Sequence, residues 1–138
     1  MKNILQILIL LGLIFSISFA DYFREIKEIS LKKDEQTKIL VKYDNREKIL
    51  KLRWTLYKNG GLVVFRSYDT VVAQNILYLR HENQSVRVEL KPSSPGFYTK
   101  PYLLVRFKEF NHETSEANIK LLLSDGAGTI NLEYVKND

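Results

Sequence analysis

Apolar and polar side chains alternate most regularly over residues 48–66, which read KILKLRWTLYKNGGLVVFR. Leu50, Leu52, Trp54 and Leu56 fall on one side of this run, and Lys51, Arg53 and Thr55 on the other. A period of two is that of a strand with one buried face. Asn59-Gly60 suits the two positive-φ positions of a type I′ turn, so residues 62–68 are expected to fold back as the partner strand. With that turn, Trp54 faces Phe65 and Leu56 faces Val63. A Gly60-Gly61 turn puts Trp54 opposite Ser67 instead, and the aromatic pairing favours the first register. The first register also sets Arg53 opposite Arg66. Like charges across a pair are unfavourable, so either an acidic neighbour or some other accommodation is expected there.

The rest of the chain continues in the same style. Residues 24–32 form a weaker strand with Ile29 and Leu31 inward. Residues 36–43 place Ile39, Val41 and Tyr43 on one face and Lys38, Leu40 and Lys42 on the other. Residues 67–83 read two ways. Asp69 and Thr70 can cap a short helix carrying Val72, Ile76 and Leu79, or residues 75–80 can form a strand, which the neighbouring strands favour. Residues 84–90 alternate again, with Val86, Val88 and Leu90 inward. Residues 91–101 hold all three prolines and read as an irregular loop. Residues 102–110 resume the strand pattern. Residues 117–135 are expected to form a second hairpin around Asp125-Gly126, with Ile119 opposite Leu132 and Leu121 opposite Ile130. Eight or nine short strands, no long helix and no repeat predict an all-β antiparallel sandwich. Leu40, Leu62, Val64 and Leu104 fall on nominally outer faces, more apolar surface than a freely solvated sandwich needs.

The first twenty residues differ in kind. Lys2 precedes an apolar run over residues 4–15, and Ser18-Phe19-Ala20 places small residues before a cut at Asp21. This is the pattern of a cleaved secretory signal peptide. The competing reading is an uncleaved N-terminal anchor. Cleavage leaves residues 21–138 as one domain, with the formal charge of +5 lowered by the loss of Lys2. The chain contains no cysteine, so its core must hold without disulfides, and neither a thiol nucleophile nor a cysteine-ligated metal is available. A periplasmic or secreted bacterial protein is expected, with no transmembrane span in the mature chain.

Leu52-Arg53-Trp54-Thr55, followed by Leu90-Lys91-Pro92 and Gly96-Phe97-Tyr98, resembles immunoglobulin-like and fibronectin type III-like sandwiches over residues 49–107. The resemblance implies that Trp54 is buried between two sheets and that Tyr98 forms a tyrosine corner. It implies no function, because such sandwiches host many roles.

Catalytic chemistry finds little footing. His81 and His112 are each followed by glutamate, but neither has a second histidine four residues on. No nucleophile-elbow or phosphate-loop motif is present, and Gly126-Ala127-Gly128 reads as a turn. The expectation is a non-enzymatic protein without cofactor or metal. Two surfaces are candidates for binding. Lys51, Arg53, Tyr57 and Arg66, joined by Lys38 and Lys42 if their strand lies beside the hairpin, form a basic, aromatic-bearing sheet face, suited to an anionic glycan or lipid head group. Phe97, Tyr98 and Tyr102 lie in or beside the proline-rich loop and suit a protein contact. The favoured reading is an envelope binding or assembly module that meets another envelope protein through this loop or through an exposed sheet edge. Nucleic acid is not an expected partner.

Overall fold

Three dipeptides set the connectivity of half the molecule. Asp44-Asn45, Asn59-Gly60 and Asp69-Thr70 all adopt positive φ at both residues. That is the requirement of a two-residue turn whose twist matches its flanking strands. The computed structural model describes residues 23–92 and 100–135. In it these turns join β2 (Thr37–Tyr43), β3 (Arg46–Lys58), β4 (Gly61–Tyr68) and β5 (Val71–Tyr78) into a continuous meander. The ambiguous segment after Ser67 is therefore strand. The expected signal peptide, residues 1–20, lies outside the described residues, as do Phe97 and Tyr98.

The other strands are β1 (Glu25–Lys32), β6 (Ser85–Glu89), β7 (Tyr102–Asn111), β8 (Glu116–Ser124) and β9 (Asn131–Val135). One 3₁₀ turn, Glu82–Gln84, precedes β6. Two antiparallel sheets result, in the orders β1-β8-β7-β6 and β5-β4-β3-β2-β9. They pack as a β-sandwich around a core drawn from both, including Ile39, Leu50, Leu52, Leu103, Phe107 and Leu121. Trp54 is part of it. Its indole N–H donates to the Leu31 carbonyl of the opposite sheet at 2.7 Å. A second link between the sheets comes from Tyr68, whose hydroxyl donates to the Leu90 carbonyl at 2.6 Å. Burial, with Tyr43 and Asp69 nearby, pushes this phenol well above its ordinary pKa.

The central hairpin departs from its expected register in an informative way. Near the turn, Leu56 faces Val63 and Lys58 faces Gly61, as Asn59-Gly60 predicts. At Thr55 the strand bulges, and beyond it Trp54 faces Val64 and Arg53 faces Phe65. A bulge inserts one residue and reverses the inside–outside alternation past it. Leu56 is thus exposed and Tyr57 turns inward, while Leu62 and Val64 are fully buried rather than outward. A matching irregularity lies between Phe107 and Glu109 on β7. It turns Phe110 inward, where the ring stacks on Tyr57 at 4.0 Å between centroids and meets Trp54 edge-on at 5.6 Å. Two bulges on facing sheets therefore close one end of the core with aromatics.

The expected second hairpin does not form. β8 pairs with β1 and β7, and β9 crosses to the other sheet to pair with β2, where Leu132 lies beside Val41. The chain between them is an arch. Asp125, almost fully buried, holds it: one carboxylate oxygen accepts from the Ile130 N–H at 2.8 Å and from the Arg24 guanidinium at 3.0 Å. The same guanidinium donates to the Ile130 carbonyl at 2.8 Å.

Candidate functional site

The four edge strands of the two sheets are not alike. β1 carries Glu25, Lys27, Glu28 and Lys32; β6 carries Arg87 and Glu89; β9 carries Glu133. Charge on an edge strand discourages pairing with another chain. β5 reads VVAQNILY over eight residues and carries none. Among the described residues it pairs only with β4. Val71, Val72 and Ile76 on it are 55%, 73% and 45% exposed, values that place three β-branched side chains in solvent on one strand. Gly61 helps seat this strand on β4, since a Cβ there would fall within 2.7 Å of the Tyr78 ring.

Hydrogen-bonding direction follows from the turn. Tyr68 and Val71 flank the two-residue Asp69-Thr70 turn and exchange backbone bonds. By alternation Ala73, Asn75 and Leu77 also bond toward β4. Val72, Gln74, Ile76 and Tyr78 then aim their N–H and C=O groups at the open edge. Consistent with that phase, the exposed Asn83 side chain reaches the Ile76 carbonyl from outside at 3.3 Å.

The edge borders the outer face of the five-stranded sheet. Register places Lys38, Lys51, Ser67 and Val72 in one row across it, and Arg53, Phe65 and Gln74 in the next. Leu56, Val63 and Ile76 make a third, apolar row. Lys38 and Lys51 are directly opposite each other, two like charges on adjacent strands. Among the described residues, neither they nor Arg53 has a carboxylate within ion-pair distance. The Arg53 guanidinium lies over the Phe65 ring, 5.4 Å from its centroid. The bulge at Thr55 is what separates Arg53 from Arg66. Arg66 faces the other side of the sheet beside Leu52 and donates to Asn75 at 3.3 Å.

Of the residues singled out from the sequence, then, Lys38, Lys51 and Arg53 converge. Lys42 shares their face but is neutralised by Glu133 at 2.6 Å and Glu47 at 3.6 Å. The hydrogen bond to Glu133, first of these, holds the Lys42 ammonium above its ordinary pKa. Tyr57 lies on the core side among the aromatics. Tyr102 belongs to the other sheet, buried under the Arg87 guanidinium at 3.8 Å. Val72 and Ile76 were the residues overlooked. Their signal was available in the absence of any charge over Val71–Tyr78.

His81 and His112 are exposed, against Tyr78 and against Tyr57 and Phe110 respectively. Among the described residues no three acidic or histidine side chains gather as a metal site. A cleft of about 420 Å³ between the ends of β4 and β6 mixes Arg66, Arg87 and Lys91 with Asp69 and Glu89. Among the described residues no helix is long and apolar enough to cross a membrane. No protein-family model, no curated protein and no solved structure matches this chain.

Proposed function

We propose that the protein is an exported, non-enzymatic binding or assembly module of a bacterial envelope that takes a protein partner by strand addition at β5. The observation that carries this reading is the uncharged, eight-residue edge with Val71, Val72 and Ile76 in solvent. An edge of this kind supplies main-chain hydrogen bonds for affinity and side-chain rows for specificity. Export rests on the N-terminal pattern of residues 1–20. The immunoglobulin-like reading is retained for the two-layer architecture with a buried tryptophan between sheets. The order of strands, two meanders that exchange their terminal strands, differs from the paired-sheet order of immunoglobulin domains.

Hydrogen exchange tests the edge. In dilute protein the amides of Val72, Gln74 and Ile76 should exchange freely, and in envelope extract they should slow by about tenfold or more, while amides bonded to β4 change little. Equal exchange of the edge amides in both conditions sinks the reading.

The unneutralised Lys38–Lys51 pair, with Arg53 beside it, favours a second reading in which this face binds an anionic envelope glycan or lipid head group. Such binding should fall steeply between low and physiological salt and be abolished by Lys51→Glu with Arg53→Glu. Co-sedimentation with anionic vesicles or polymer that is indifferent to both would remove it.

A further inference from the structure

We infer that the strand received at β5 is the β5 of a second copy, giving an antiparallel dimer with one continuous ten-stranded sheet. The inference rests on the strand-addition reading and names its partner. The reasons lie in what β5 presents to itself. Pairing about Gln74 sets Val72 of each copy opposite Ile76 of the other, and Gln74 opposite Gln74. These are the residues whose backbone groups face the open edge, so the hydrogen-bonding phase and the side-chain rows agree. The most exposed apolar residue of the strand, Val72, thereby gains an apolar neighbour. The row Leu56–Val63–Ile76 of one copy then runs on into Val72 of the other. No charge on the strand opposes the pairing. The Asn83 amide, which reaches the Ile76 carbonyl at 3.3 Å, leaves that oxygen a second lone pair.

A single strand pair buries little surface, so the dimer should dissociate on dilution, with a Kd of roughly micromolar to a few hundred micromolar. Sedimentation equilibrium decides it, on protein made from the full coding sequence and purified with the N-terminus the cell leaves. The native chain should shift from monomer to dimer across that range. Gln74→Lys and Gln74→Glu each place like charges face to face and should weaken the dimer at least about tenfold. Both side chains are exposed and their amides face away from β4, so the fold is unaffected. An equimolar mixture of the two variants should restore a dimer containing one of each. A native chain that stays monomeric up to about 1 mM overturns the inference, as does a Gln74→Lys variant that dimerises as well as native. If a monomeric native chain nevertheless shows protected edge amides in extract, strand addition stands and the second copy is excluded as the partner. If those amides stay unprotected, both fall.

Discussion

Replacing Trp54 with alanine should destabilise the protein by about 4 kcal/mol, the largest effect expected of any single side chain here. Large aromatic-to-alanine changes in a core cost roughly 3–5 kcal/mol through lost burial and the cavity left behind. Trp54 is 3% exposed, packs edge-on against Phe110, and supplies the hydrogen bond from one sheet to the Leu31 carbonyl of the other. Leu31 is itself buried, so truncation strands its carbonyl as well. Domains of this size hold about 5–15 kcal/mol in total, so the variant should unfold at a much lower urea concentration. Trp54→Phe separates the two contributions. It keeps most of the apolar contact and loses the donor, for a cost of roughly 1–3 kcal/mol. The transition has to be followed by circular dichroism, because Trp54 is the sole tryptophan in the chain. An alanine variant within about 1 kcal/mol of native would mean that the sheets are held together elsewhere.

The second large effect belongs to Asp125→Ala, expected at roughly 2–3 kcal/mol. Its carboxylate is buried and accepts from the Ile130 amide and from Arg24. Hydrogen bonds to a charged group contribute about 1.5–3 kcal/mol, and the buried Ile130 N–H loses its acceptor when the carboxylate goes. Arg24 is nearly half exposed, so Arg24→Ala should cost less, about 1 kcal/mol or below. The loss should also be local. Among the described residues β9 has one strand neighbour, β2, so its amides should exchange faster in Asp125→Ala at denaturant concentrations that leave β3 protected. A change of less than about 0.5 kcal/mol would show that burial of Ile130 and Leu132 suffices to set the crossing.

Asp125-Gly126 also marks where local pattern misleads. A turn dipeptide between two alternating runs is the usual signal of a hairpin, and the cross-strand pairs it predicts are apolar with apolar. The same side chains are satisfied equally well in another arrangement. Leu121, Leu122 and Leu123 are all buried, so β8 needs cover on both faces and a neighbour at each edge. β1 and β7 provide the two edges, the opposite sheet covers the inner face, and β9 finds its place beside β2. Turn chemistry weighs only the two strands it joins, whereas partner choice depends on every strand that can compete. At Asn59-Gly60 no such competition arises, and the hairpin forms as its residues predict.

The candidate site shows the same division. The one-residue bulge at Thr55 moves Arg66 to the far side of the sheet, turns Tyr57 inward and sets Arg53 over Phe65. No alternation rule places a bulge, and this one goes together with the stacking of Tyr57 on Phe110 across the two sheets, residues far apart in the chain. Lys38 opposite Lys51, by contrast, follows by simple counting once the turn is fixed at Asp44-Asn45, which the sequence marks only as part of a polar cluster over 44–47.

By itself, then, the sequence determined the strand content, the Asn59-Gly60 hairpin, the inward face of Trp54 and the shared outer face of Lys51 and Arg53, because short-range turn geometry and a period of two decide all of these. That Lys38 joins them and that Asp69-Thr70 turns the chain into another strand came from the tertiary pairing. The tertiary structure alone decided which strands became edges, where the bulges fell, and that β8 and β9 part company. Those outcomes turn on contacts between residues distant in the chain, such as Arg24 with Asp125 and Trp54 with Leu31. The absence of charge on β5 was written in the sequence throughout. Only its place at the rim of a sheet gives that absence a meaning.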